Sequence, residues 1–262
     1  MLTECQKAEI KDIISESLDR AQNLWRKHGP LLKSAVVESR MDSAAMDSRE
    51  TVESPIPGHP KVTEMDEKVD KFIALVADMR NSSNHLLCAI SSKESKISEL
   101  ERVFYETSAL LPALEKTISY EEGSTTEYLG DGILSMFQVN DLEKSIRSAH
   151  RAAKSCLIET LPLVNCELDR RYDLPELQIG IGMGMSRALV SLVGLPGHRH
   201  PKAIGRCIYN ATKLSGGLNE IYVDESLKAS WPSSKSGKLK FIPPDKKRLK
   251  GVDGFKIEYS GL

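Results

Sequence analysis

Thr125–Phe137 reads TTEYLGDGILSMF, and the fold turns on how its centre is taken. Two short β-prone runs flank Gly130-Asp131-Gly132, the pattern of a hairpin with a tight, glycine-bracketed turn. On the first run Thr126 and Tyr128 fall on one face, Glu127 and Leu129 on the other. An Asp between two glycines projects its carboxylate past the strand ends, which suits a metal ligand. An ordinary Asp-Gly turn has the same sequence.

Upstream, Lys71–Met79 (KFIALVADM) is an apolar run typical of a buried strand, with Asp78 at its C-terminal end. The polar segment Arg80-Asn81-Ser82-Ser83-Asn84 follows, and a helical pattern begins near it. A lone Asp at a strand end is usually a cap or a turn residue. Two such acids, on a strand and a hairpin that can be sheet neighbours, can hold two hard cations about 3.5–4 Å apart.

Asp78-Met79-Arg80-Asn81-Ser82-Ser83, then Tyr128-Leu129-Gly130-Asp131-Gly132, then Ile179-Gly180-Ile181-Gly182-Met183-Gly184 together resemble the class III nucleotidyl cyclase catalytic domain. The resemblance runs from Val69 to Tyr259, and Arg248-Leu249-Lys250-Gly251-Val252 resembles the block that closes that domain. Within the class, ADMRNSS and the short layout look most like the bacterial antiphage (Pycsar) pyrimidine cyclases, which make cyclic UMP or cyclic CMP.

The chain has 262 residues, 40% of them hydrophobic and 28% charged, ordinary values for a globular protein. A net charge of −1 gives no global attraction to nucleic acid or membrane. No run of about 18 apolar residues is present and no basic-then-apolar leader opens the chain, so a cytoplasmic protein is expected. The five cysteines lack CxxC spacing, which implies reduced thiols.

Residues 1–30 carry an amphipathic helix whose stripe is Ile10, Ile13, Ile14, Leu18, Ala21, Leu24 and Trp25. Such a helix must dock, and docking within a dimer is expected ahead of cover within the chain. Residues 31–65 read as a linker, with the Ser-, Glu-, Asp-, Met- and Pro-rich stretch Ser34–Pro60 ending in PIPGHP, and 66–262 as one domain. That domain alternates strands and helices: strand Phe72–Ala77, helix Ser98–Ser119, the hairpin, and a long helix Asp141–Arg171 that Pro162 kinks or breaks. Strand Leu177–Met185, a strand and turn at Lys202–Gly205, a helix through Tyr209–Leu214, strand Ile221–Val223 and the pair Leu239–Ile242/Phe255–Tyr259 complete it. The sum is an α+β fold on a ferredoxin-like βαββαβ core, an antiparallel sheet with helices on one face, plus the N-terminal helical extension. The resemblance implies the same fold. GIGMG is not a dinucleotide loop, because its glycines lie inside an alternating apolar strand; they mark close approach of a neighbouring element or a ligand.

The resemblance further implies a phosphorus–oxygen lyase that closes a nucleoside triphosphate to its 3′,5′-cyclic form with two Mg²⁺ or Mn²⁺ ions. Asp78, Asp131 and the Met79 carbonyl would hold the metals, and Asn81, Ser82, Ser83 and Lys250 would meet the phosphates. Glu127 and Lys202 occupy base-reading positions and fit an edge with N–H beside C=O, as in uracil or guanine; they can equally pair with each other. UTP stands first, GTP or CTP behind it. Where related cyclases place Asn and Arg on one helix face, this chain has Tyr209 and Lys213, with Asn210 displaced by one. The resemblance also implies a head-to-tail homodimer with shared sites and a separate effector that senses the product. A cyclase-like module without catalysis and a purine cyclase are the alternatives; an RNA-binding domain lacks the aromatic sheet face it needs.

Overall fold

The computed structural model describes residues 1–28, 51–63, 68–82, 98–195, 197–233, 239–243 and 251–259. Its elements in chain order are α1 (Glu4–His28), β1 (Thr51–Glu53), β2 (Lys61–Thr63), β3 (Lys68–Met79), α2 (Glu99–Ser119), β4 (Ser124–Tyr128) and β5 (Gly132–Gln138). There follow α3 (Leu142–Ser155), a π-turn (Cys156–Thr160), α4 (Leu161–Tyr172), β6 (Ile179–Val193), β7 (His200–Gly205), α5 (Arg206–Leu214), β8 (Glu220–Asp224), α6 (Glu225–Ala229), β9 (Leu239–Ile242) and β10 (Gly254–Tyr259).

The main sheet runs β4-β5-β3-β6-β8-β10-β9, with β7 paired to β6 outside this path. Its first four strands, β4-β5-β3-β6, are mutually antiparallel and have the strand order of a ferredoxin-like βαββαβ unit. The remaining strands extend that unit through a parallel β6–β8 pair.

β3 is buried on both sides, which explains its unbroken apolar run. Ile73, Leu75, Ala77 and Met79 enter the larger core with α1, α2, α3 and α4, so the crossover helices share one face, as the sequence implies. Phe72, Ala74 and Val76 point the other way, into a second cluster with Leu134, Met136, Cys207 and Ala211. That second face is covered by α5 and β7, outside the βαββαβ unit.

The N-terminal stripe docks within its own chain. Ile10, Ile14, Leu18 and Ala21 are buried in the larger core, and Trp25 packs against Phe104 with ring centroids 5.8 Å apart. Polar bonds fix the position: Tyr120 donates to Glu9 at 2.6 Å, and Arg171 donates to Ser15 Oγ at 2.6 Å. Four buried aliphatic side chains contribute several kcal/mol, about 1.5–3 each for the larger ones. Dimer docking of this helix is thereby corrected.

Residues 51–63, within the expected linker, are ordered as a hairpin. β1 and β2 form an antiparallel hairpin whose Ile56 and Val62 are buried in the second cluster. The Pro-Gly sequence supplies the turn: Gly58 has φ +79°, and His59 N–H donates to the Ile56 carbonyl at 2.9 Å. Residues 29–50 of the expected linker lie outside the described residues, as does the helical pattern after Ser82.

Pro162 neither breaks nor visibly ends the long helix. The π-turn directly before it absorbs the missing N–H and the ring bulk, and helical geometry resumes at Leu161. Thr160 of this turn hydrogen-bonds Thr117 of α2 at 2.6 Å, both buried.

His150 ties α3 to the last strand. Its Nε2 lies 2.9 Å from the Tyr259 hydroxyl, its ring stacks on Tyr259, and Trp231 meets it edge-on. Burial pushes its pKa from the ordinary 6.5 down to about 4, aided by Lys154 and Arg151. The unfolded chain therefore binds a proton here before the folded one does. The resulting stability is fully present above pH 6.5 and is lost as pH falls toward 4, roughly 3 kcal/mol in all. NMR titration should show one histidine still neutral at pH 5.5, and His150→Gln should remove that resonance and flatten the acid limb of Tm. A full set of histidines titrating near 6.5 would refute this.

Candidate active site

Asp78 is the next-to-last residue of β3, in register with Gly132 on β5 and Gly180 on β6. Side-chain alternation puts it on the face of Val76, the second face, beyond the last buried apolar residue there. The β4–β5 turn is sewn to the same point: Met79 N–H approaches the Asp131 carbonyl at 3.4 Å, and Leu129 N–H donates to the Gly132 carbonyl at 2.8 Å. Gly130 has φ +74°, the left-handed geometry that a glycine bracket supplies. At Gly132 the requirement is space, since a Cβ would sit 2.8 Å from the Ala77 carbonyl and 3.1 Å from Asp78 Oδ1.

The two acids interact. The Asp78 carboxyl is held above its ordinary range, first by burial and then by the Asp131 charge, against the pull of Arg80. Arg80 Nη1 donates to Asp78 Oδ2 at 2.8 Å, while Asp131 has no ion-pair partner among the described residues. One guanidinium thus pairs with one of the two carboxylates. Among the described residues no group of three or more His, Cys, Asp or Glu converges, so this pair is what a cation would meet. Two hard oxygen donors with unbalanced negative charge fit Mg²⁺ or Mn²⁺, with the rest of the coordination left to backbone, water and phosphate oxygens.

Asn81 lies in the turn after Arg80 with φ +61°, a conformation Asn tolerates, and Ser82 is the last described residue of this segment. Ser83 and Lys250 lie outside the described residues.

Glu127 stands opposite Leu134, whose side chain is in the second cluster, so Glu127 shares the face of Asp78. A register shift between Thr125 and Glu127 marks a bulge, so strict alternation does not run through Thr126. Tyr128 points to the helix face, where its hydroxyl donates to Glu115 of α2 and pins the hairpin. Lys202 of β7 reaches across the second face to Glu127, with Nζ–Oε2 of 2.5 Å. Of the two arrangements open in the sequence, the chain adopts mutual pairing.

On α5, Tyr209 and Lys213 are exposed and adjacent, the ammonium 5.6 Å from the ring centroid. No hydrogen bond or ion pair links either of them to Asp78 or Asp131 among the described residues. Asn210 turns inward and donates to Asp224 Oδ2 at 2.9 Å, so it does not reach the exposed face. Asp224 is buried, also accepting from Met185 N–H and capping α6 through Leu227 N–H. The glycine repeat of β6 serves this helix. A Cβ at Gly182 would lie 2.0 Å from the Ala211 carbonyl, and one at Gly184 2.6 Å from the Cys207 carbonyl. Sequence reasoning missed Arg80 and Asp224; a basic residue two positions after a strand-end acid was the available signal for the first.

No protein-family model matches the chain, and no curated protein matches it. Solved structures do. The adenylyl cyclase CyaB from P. aeruginosa aligns with a TM-score of 0.59 at 15% identity, over 74% of this chain and 97% of that one. The guanylyl cyclase Cya2 gives 0.57 at 16%, over 75% and 94%. A class III adenylyl cyclase-like ATP-binding protein from Pseudomonas aeruginosa gives 0.57 at 20%, over 71% of this chain and 40% of the other. The chain has the fold of class III nucleotidyl cyclase domains. No helix among the described residues is long and apolar enough to cross a membrane.

Proposed function

We propose that the chain is a metal-dependent nucleotidyl cyclase that converts a pyrimidine nucleoside triphosphate, UTP first and CTP second, to its 3′,5′-cyclic nucleotide and pyrophosphate. The observation that carries the reading is the meeting of Asp78 and Asp131 where β3 and the β4–β5 hairpin are in register. Asp78, Asp131 and the Met79 carbonyl would hold two divalent ions, which lower the pKa of the attacking 3′-hydroxyl and neutralise charge on the triphosphate. Asn81, Ser82 and Ser83, where the chain leaves β3, and Lys250 would receive phosphate oxygens. Lys213 and Tyr209 would steady the ribose and the charge developing at the α-phosphate; Lys213 lacks the bidentate fork of an Arg.

Glu127 and Lys202 supply an acceptor beside a donor, the complement of a uracil N3–H and its neighbouring carbonyl. Asp78 and Glu127 face the second side of the sheet, across which Lys202 reaches. Tyr209 is exposed on α5, the helix that covers that face. A two-fold homodimer joining two such faces would set the acids of one copy against Glu127, Lys202 and Lys213 of the other. By resemblance, the product would signal to a separate effector in antiphage defence, within the cytoplasm.

Incubation of the full chain with Mn²⁺ and each of the four ribonucleoside triphosphates is expected to give cyclic UMP above cyclic CMP. Cyclic GMP or cyclic AMP as the main product would assign the chain to the purine reactions named for its structural neighbours. No cyclic product from any triphosphate would overturn the enzyme reading. A second reading, a nucleotide-binding module without catalysis, is favoured by the Tyr209/Lys213 departure and by the likeness to a cyclase-like ATP-binding protein.

A further inference from the structure

Arg80 has no task in the reading above. It follows Met79 in the turn that leaves β3, where its backbone N–H donates to the Gln178 carbonyl at 2.8 Å. The turn is therefore anchored without help from the side chain. The guanidinium donates to Asp78 Oδ2 at 2.8 Å, and its buried Nε has no partner among the described residues. A planar fork of donors is suited to an acceptor with two or more oxygens, so a single short bond beside a stranded Nε leaves much of its capacity unused.

The geometry of Asp78 divides its two oxygens. Oδ1 lies beside Gly132, against the hairpin that carries Asp131, and Oδ2 faces Arg80. A divalent cation bridging the two acids needs this carboxylate, and its charge would repel a guanidinium held at contact distance. The Arg80 and Asp78 side chains are 27% and 30% exposed, so the pair can part without opening the core.

We propose that Arg80 competes with a divalent cation for Asp78 and, once displaced, donates its fork to the oxygens of the bound triphosphate. The inference rests on the metal-dependent reading of the Asp78–Asp131 pair. One side chain then acts with opposite signs: it weakens binding of the bare ion and strengthens binding of the polyphosphate that accompanies it. The site is thereby biased to bind ion and substrate together, a coupling between two ligands through one residue.

The test uses the full chain and two probes. Mn²⁺ alone, followed by electron paramagnetic resonance, is expected to bind R80Q about fivefold more tightly than wild type, the order set by release of a partly exposed ion pair. Inorganic tripolyphosphate at saturating Mn²⁺, followed by calorimetry, is expected to bind R80Q about tenfold more weakly, as loss of a charge-assisted contact implies. R80K, which keeps the charge and loses the fork, should fall between wild type and R80Q in both. A merely structural Arg80 would weaken both affinities together, and that result, or no change in either, overturns the exchange. D78N serves as the separate control. Undiminished Mn²⁺ binding by D78N would overturn the two-carboxylate reading itself, whereas its loss alongside an unmoved R80Q would overturn only the role of Arg80.

Discussion

Asp78→Asn is expected to lower cyclase turnover about a thousandfold, ~4 kcal/mol of transition-state stabilisation, while leaving the fold at least as stable. The two halves of this result have the same origin. Burial and the Asp131 charge both disfavour the ionised Asp78, so the folded state tolerates this carboxylate at a cost. An amide keeps the shape and removes the repulsion, and Tm should stay level or rise by about 2–4 °C. Asp131→Asn should behave alike in turnover. A variant that lost activity through unfolding would show a lowered Tm, which separates the explanations. Mixing Asp78→Asn chains with Lys213→Ala chains tests whether sites are shared. Random exchange makes half the dimers mixed, each with one intact site of two, so about a quarter of wild-type activity should return. No return of activity would count against sites shared between subunits and would place Asp78 and Lys213 in a site built by one chain.

The parts of this architecture that are legible in the sequence are those set by local pattern. The Gly130-Asp131-Gly132 hairpin, the apolar β3 run and the α1 stripe each carry their own periodicity, and the order of strands and helices follows. Partners across long sequence separations are not legible. Nothing near Ile10 or Leu18 says that α2 and α4 of the same chain will cover them. Val52 and Val62 are too few to signal a hairpin inside a Pro- and Glu-rich stretch, yet pairing across a Gly58 turn is enough. At the site, Asp78 and Asp131 can be singled out by residue type. The Glu127–Lys202 pair spans 75 positions and depends on β7 folding over the second face, which no local rule contains. Spacing alone leaves Asn210 a candidate for the exposed face of α5. Its inward turn is decided by Asp224, itself held in place by three hydrogen bonds from separate elements.

Gly182→Ala should be among the most damaging single-methyl changes in the chain. The added Cβ would meet the Ala211 carbonyl at 2.0 Å and the Ser215 N–H nitrogen at 2.6 Å, both backbone atoms of the α5 end. Side-chain rotation cannot relieve either contact, so the helix must lift from β6 or the strand must bow. A change of this kind costs about 3 kcal/mol or more, which lowers Tm by roughly 6–12 °C in a domain of this size. Gly130 offers a contrast. No atom lies within 4 Å of the place its Cβ would take, and its constraint is φ +74°, so Gly130→Ala should cost only about 1 kcal/mol. The glycine repeat therefore acts in packing, against a reading as a phosphate loop, in which alanine would spare the fold and weaken nucleotide binding. Lifting α5 also moves Tyr209 and Lys213, and it strains the Asn210–Asp224 bond that sets the rotation of the helix. Turnover measured below the melting transition should accordingly fall in Gly182→Ala even where the chain remains folded. Unchanged Tm would show that β6 and α5 do not approach as closely as 2.0 Å implies.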